Sequence, residues 1–273
     1  MRCSFNGVSS SAYNRAQEFN SAVNNSSIKA MIACSGGDYI IQILKLIDFN
    51  NLVKNVKWIQ GQSDITVLLY YITTKYDIST IYSFNAKSFG DNNLPISMIE
   101  NNIKFLSGKI PKQIEYGYKI EDKNIEVNWK CITTFKPFRG RAIGGCLDSI
   151  KDIIGTKYDN TKNFLNKYKE DGIIWYFDVA EMTNEDILRT MWQFKEADWF
   201  ENCKGIIFGR VENEVTYTNT LLEEAINYCL KDLNIPIIIN ADIGHTYPVF
   251  TVVNGSIIQI TKKDKFIMET FFK

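Results

Sequence analysis

The sequence predicts an α/β protein: a parallel-sheet, Rossmann-like domain first, then a second α/β domain with mixed strands. Three observations carry this. In the first half, short apolar runs alternate with helix-like stretches: 28–33, then 39–47, then 56–59, then the segment after Ser63. Parallel neighbours need such crossovers, so the order reads as βαβα. Beyond residue 139, apolar runs at 173–177, 205–209 and 235–240 alternate with helical patterns again. Glycine-containing turns, Gly36-Gly37 and Gly61, close two of the early runs, and open parallel sheets gather ligands at those strand ends.

Taken in order, residues 11–24 read as a helix and 28–33 as a buried strand running into Cys34-Ser35-Gly36-Gly37-Asp38. A helix over 39–47 precedes the strand at 56–59 and the turn Gly61-Gln62-Ser63-Asp64; 78–84 gives another strand. The pattern weakens over 85–128, and an interdomain connection is expected late in it. The division is therefore 1–122 for the first domain, 123–137 for the linker and 138–273 for the second domain. Residues 139–146 lead into a helix over 147–154 that stops at Gly155. Thr183 can cap the helix after the strand at 173–177, with Asp186 three residues on. An amphipathic stretch covers 219–233, and the strand at 235–240 leads to Asp242-Ile243-Gly244-His245. Residues 251–261 read as a hairpin turning at Asn254-Gly255.

Composition narrows the function. The chain has 273 residues, and its 31 Lys and Arg balance 31 Asp and Glu. That excludes the basic stripe of a nucleic-acid binder and a polybasic membrane tail, and points to a small substrate. No apolar run nears the roughly 20 residues that span a bilayer, and the N-terminus has no secretory apolar region. Six cysteines without C-x-x-C pairs suit reduced core thiols, so a cytoplasmic location is expected. One histidine and scattered cysteines offer no zinc spacing, and neither a metal nor an organic cofactor is expected.

A serine on a strand-to-helix turn presents its hydroxyl beside helix-start N–H groups, the logic of a nucleophile elbow. Ser63 has that place, although position 65 is Ile where G-x-S-x-G has Gly. The alternative is a helix capped by Ser63 or Asp64. A serine needs a base, and His245 is the sole imidazole. Gly36-Gly37 lets backbone N–H groups approach a ligand, or is an ordinary tight turn. Cys34 is a second candidate nucleophile, though the apolar strand before it is expected to bury the thiol. Arg139 and Arg141 bind a substrate carboxylate or cover a solvated interdomain surface. Trp175, Trp192 and Trp199 suit a core or dimer surface.

Six segments then resemble the serine LD-carboxypeptidases, which include muramoyl-tetrapeptide carboxypeptidases and microcin C immunity proteins. They are CSGGDY (34–39), WIQGQSDIT (58–66), GRAIGGCLDSIKDIIGT (140–156), IIWYFDVAE (173–181), GIIFGR (205–210) and ADIGHTYPVFTVVNG (241–255), in the family's order. The resemblance implies catalysis at the junction of the two domains, with Ser63 as nucleophile and His245 as base. It also implies backbone amides at Gly36-Gly37 and Asp64 as oxyanion donors. The orienting acid falls on Asp178, where the family usually carries Glu; Glu181 is the fallback. The implied reaction removes a terminal D-alanine from a muropeptide tetrapeptide through an acyl-enzyme. Cleavage of a toxic aminoacyl nucleotide, and a catalytically silent binding or scaffold protein, are the alternatives. Family members usually begin with several dozen more residues, so an incomplete first sheet and a homodimer are expected.

Overall fold

A computed structural model describes residues 8–120, 125–211 and 214–272. Its strands are β1 (Ala30–Ile32), β2 (Trp58–Gly61), β3 (Thr80–Tyr82), β4 (Gln113–Ile114), β5 (Tyr118–Ile120), β6 (Ile125–Val127) and β7 (Lys130–Cys131). They continue as β8 (Phe138–Cys146), β9 (Ile173–Asp178), β10 (Cys203–Gly209), β11 (Ile237–Ala241), β12 (Val252–Asn254), β13 (Ile257–Lys262) and β14 (Phe266–Phe271). The α-helices are α1 (Ala12–Asn24), α2 (Ile41–Leu44), α3 (Phe49–Lys54), α4 (Thr66–Tyr76), α5 (Ile96–Leu106), α6 (Leu147–Ile150), α7 (Thr161–Lys167), α8 (Asn184–Glu196) and α9 (Leu222–Leu230). None is long and apolar enough to cross a membrane.

Two main sheets organise the chain, and a two-stranded β5-β6 ribbon stands beside them. The first runs β1-β2-β3-β12, parallel through β3 and closed by the antiparallel β12. The second has eight strands in the order β4-β14-β13-β8-β9-β10-β11-β7. Its centre, β8 to β11, is parallel, and the flanking pairs are antiparallel. A parallel centre covered on both faces demands continuous apolar strands, which is why Ile173–Asp178 (IIWYFD) is buried at every position. Helix α4 is apolar on all sides, and all of its residues up to Thr74 are buried. It packs against β2, β3 and β12 of one sheet and β8 of the other, joining them. Thr183 caps α8 as expected, its side chain accepting from the Asp186 N–H.

Three expectations need correcting. The segment 251–261 is no hairpin: β12 joins β3 of the first sheet, whereas β13 pairs with β8 and β14 of the second. Polar anchors impose the split. Buried Asn254 accepts hydrogen bonds from the Gly144 N–H (3.1 Å) and the Tyr176 hydroxyl (2.7 Å), and the Gly255 N–H donates to Ala142 (2.8 Å). Residues 139–146 do lead into a helix, but they are themselves most of β8, and the helix expected over 147–154 is one turn of α followed by 3-10. The segment expected as a helix over 39–47 is helical only over Ile41–Leu44. Of the expected linker 123–137, positions 123–124 lie outside the described residues, and β7 within it joins the edge of the second sheet.

Candidate active site

Strand β2 ends at Gly61, and Gln62 leads into a 3-10 turn, Ser63–Ile65, before α4. Ser63 has φ +69°, a left-handed conformation that costs a residue with a Cβ about 1 kcal/mol or more. The surroundings hold it there. The Gln62 N–H donates to Asn85 Oδ1 (3.1 Å), and its side-chain amide donates to the Gly244 carbonyl (3.0 Å). Helix α4 begins without a side-chain cap, so the capping alternative for Ser63 and Asp64 fails. The Asp64 carboxylate instead accepts from the Ile40 N–H (2.8 Å) and anchors the 35–40 loop. Burial pushes that carboxyl up to about 6, against the backbone hydrogen bonds from Ile40 and Tyr39.

The anchored loop presses on the serine. A Cβ at Gly36 would stand 2.8 Å from Ser63 Cβ and 2.9 Å from its Oγ, so only glycine permits this approach. A Cβ at Gly37 would meet Asp64 Oδ2 at an ordinary 3.6 Å. Both glycines therefore face the crevice that holds Ser63. Cys34, by contrast, is exposed rather than buried, because the chain has already left β1 for the loop; it does not line the cleft.

The histidine arrives from the other side. After β11, the fully buried Asp242 accepts from the Arg210 guanidinium, the Trp129 indole N–H (2.9 Å) and the Tyr116 N–H (2.8 Å). It is the pin of the loop that carries His245. Gly244 follows with φ +109°; a Cβ there would fall 1.9 Å from Asp178 Oδ1. Asp178 ends β9 with no solvent exposure. Its Oδ1 accepts from the His245 backbone N–H (3.2 Å), and its Oδ2 stands 2.7 Å from His245 Nδ1. Among the described residues no other side chain is recorded in polar contact with Nδ1, so Asp178 is the group the imidazole faces. Burial opposes charge on the imidazole, but the Asp178 contact and charge, helped by Asp148, outweigh it and raise the His245 pKa.

Ser63 and His245 thus line one cleft of about 1200 Å³. The loop 35–38, Gln62 and Lys87 form one part of its lining; Asp148, Asp152, Glu181 and Asp186 form another. Glu181 does not reach the imidazole; the carboxylate that does is Asp178. Two further groups escaped the sequence reading. Tyr82 donates to Asp178 Oδ2 (2.5 Å), and Asp148 accepts from the Ala180 and Glu181 N–H groups (3.0 and 2.8 Å), fixing the loop after β9. Tyr82 ends a parallel strand, which is the signal that would have flagged it. Arg139 and Arg141 stand elsewhere. Arg141 pairs with Asp171 (2.5 Å) and stacks on Tyr168, while Arg139 lies over Phe271, so neither meets a cleft ligand. Trp175 and Trp199 are core residues, and Trp192 is partly exposed.

The family models described as the LD-carboxypeptidase N-terminal and C-terminal domains match residues 2–83 and 139–260. The chain belongs to the LD-carboxypeptidase family of peptidases. Among curated relatives, the microcin C7 self-immunity protein MccF of Escherichia coli is 27% identical, over 94% of this chain and 78% of its own length. A putative carboxypeptidase of Treponema pallidum is 24% identical, over 95% and 77%. Among solved structures, wild-type MccF without ligand superposes with a TM-score of 0.80 at 24% identity, over 97% of this chain and 82% of that one. Muramoyltetrapeptide carboxypeptidase from Oxalobacter formigenes gives 0.79 at 18%, over 97% and 84%. Other MccF structures hold adenosine monophosphate or aspartyl sulfamoyl adenosine.

Proposed function

We propose that this LD-carboxypeptidase family member is a serine hydrolase that removes a terminal D-alanine from a muropeptide tetrapeptide. The observation that carries the reading is one cleft holding a strained, outward-turned Ser63 and an imidazole whose Nδ1 lies 2.7 Å from the buried Asp178. Ser63 Oγ attacks the amide carbonyl between the diamino acid and D-alanine. His245 takes the hydroxyl proton and passes it to the leaving amine, and Asp178 stabilises the imidazolium. Backbone amides at Gly37 and Asp64, with Gly36 giving close approach, receive the oxyanion; one such donor contributes around 3 kcal/mol. Water then releases the acyl group through the same base.

The cleft's charges suit this substrate. Among the described cleft-lining residues, Lys151 is paired with Asp152 (2.7 Å) and Arg189 with Asp186 (2.5 Å), which leaves Lys87 the cation best placed for a terminal carboxylate. The aminoacyl-nucleotide reading, prompted by the ligands of MccF, calls for an aromatic platform. Tyr247 is the one aromatic among those residues, and its hydroxyl is engaged by Ser88 (3.0 Å).

The test has two arms. A fluorophosphonate probe should label the protein and leave Ser63→Ala untouched; folded protein that resists the probe would sink the hydrolase reading and favour a silent binding protein. Incubation with L-Ala-γ-D-Glu-diamino acid-D-Ala should release D-alanine. Intact tetrapeptide beside a cleaved aminoacyl sulfamoyl adenosine would reassign the substrate.

A further inference from the structure

We propose that Tyr82 is a positioning residue that ties the acid of one sheet to the nucleophile turn of the other and sets the proton affinity of His245. The inference rests on the serine-hydrolase reading for its catalytic meaning, but its geometry stands apart from any substrate. Tyr82 closes β3 in the first sheet, one strand from β2, which ends next to Ser63. Asp178 closes β9 in the second sheet. The phenol spans the gap, donating to Asp178 Oδ2 at 2.5 Å, while the Tyr82 backbone is paired with Gly61, two residues before Ser63. Both side chains are essentially without solvent exposure, and the Tyr82 ring lies against Tyr176 at a centroid distance of 5.7 Å.

Two consequences follow from the shared oxygen. Asp178 Oδ2 serves Tyr82 and His245 Nδ1 together, so the phenol withdraws part of the charge that would otherwise act on the imidazole. The His245 backbone N–H holds Asp178 Oδ1, and the phenol anchors Oδ2 from the opposite sheet, so the carboxylate is fixed at both oxygens. Burial, followed by the neighbouring Asp178 charge, raises the Tyr82 pKa well above its ordinary value, so it remains a neutral donor throughout the working range. The other titratable groups facing this pair are Asp148 and Lys87 around the imidazole, and Cys146, Tyr176 and Tyr247 around the carboxylate.

The chain's only histidine makes the test direct, because a single imidazole resonance in an NMR titration reports His245. In Tyr82→Phe the carboxylate charge is no longer shared, so His245 should titrate higher by about half a unit or more. kcat should fall about tenfold with little change in KM, and the acid limb of kcat/KM should move up in pH with the resonance. Adding Tyr82→Phe to Asp178→Asn should produce no further shift, since the carboxylate charge through which it acts is gone. A His245 titration unmoved or lowered in folded Tyr82→Phe, or an equal shift in the Asp178→Asn background, overturns the proposal. Because the resonance is read without substrate, a wild-type protein that resists fluorophosphonate fails the hydrolase reading while leaving this result legible.

Discussion

Replacing Gly36 with alanine is the sharpest probe of the turn that holds Ser63. The added methyl would stand 2.8 Å from Ser63 Cβ and 2.9 Å from Oγ, about 0.6 Å or more inside ordinary contact. Neither atom ends a flexible chain. Ser63 is fixed by φ +69° and by the hydrogen bonds on either side of it, so the strain must move the 35–38 loop or the hydroxyl. A displacement approaching 1 Å costs an aligned attack on the order of 10²-fold. Gly36 is exposed, so the fold should lose no more than about 1 kcal/mol. The rate of inactivation by a fluorophosphonate measures this without a natural substrate, and denaturant unfolding supplies the control. A 10- to 100-fold slower inactivation with near-native stability is expected. Gly37→Ala, whose methyl meets only Asp64 Oδ2 at 3.6 Å, should slow it by less than about tenfold. Wild-type inactivation of Gly36→Ala, or equal effects at both positions, would refute the contact as the cause.

Two further outcomes follow from the same turn. Ser63→Gly should abolish labelling while raising unfolding stability by about 1 kcal/mol, because glycine accepts the left-handed conformation; Ser63→Ala keeps the strain and should gain nothing in denaturant melts. Asp64, raised by burial to about 6 from 3.8, is ionised first in the unfolded chain, so as pH rises between those values the native state loses stability. Asp64→Asn keeps an acceptor for the Ile40 N–H without the charge, and should be about 1–2 kcal/mol more stable than wild type at pH 8, the gain vanishing below pH 4. Equal gains at both pH values would show that the charge is not the cause.

The N-terminal βαβα order and the central apolar strands were legible because burial on both faces writes itself into the sequence as unbroken apolar runs, as at 173–177. Ser63 and His245 were legible for another reason: one lies on a strand-to-helix turn and the other is the lone imidazole. The failures share a cause. Whether 251–261 folds back on itself or passes between sheets depends on what Asn254 and Gly255 bind far away in sequence, and Gly144, Tyr176 and Ala142 carry no local mark of that role. Helix α5 was hidden because polar segments flank it and it exposes Ile96 and Ile103 while burying Asn102 between Met98 and Phe105, which blurs the helical period. Tyr82 carries one signal, its place at the end of a parallel strand; that its hydroxyl meets a carboxylate 96 positions away leaves none.

The strand Val252–Asn254, which closes the first sheet against Thr80–Tyr82, also sets the order in which the cleft can be assembled. A ribosome releases residues from the N-terminus onward. Ser63 emerges well before residues 245–254, which supply the imidazole of its cleft and the fourth strand of its own sheet. A nascent chain that stops short of them therefore presents Ser63 on a sheet with an open edge, without the imidazole that shares its cleft.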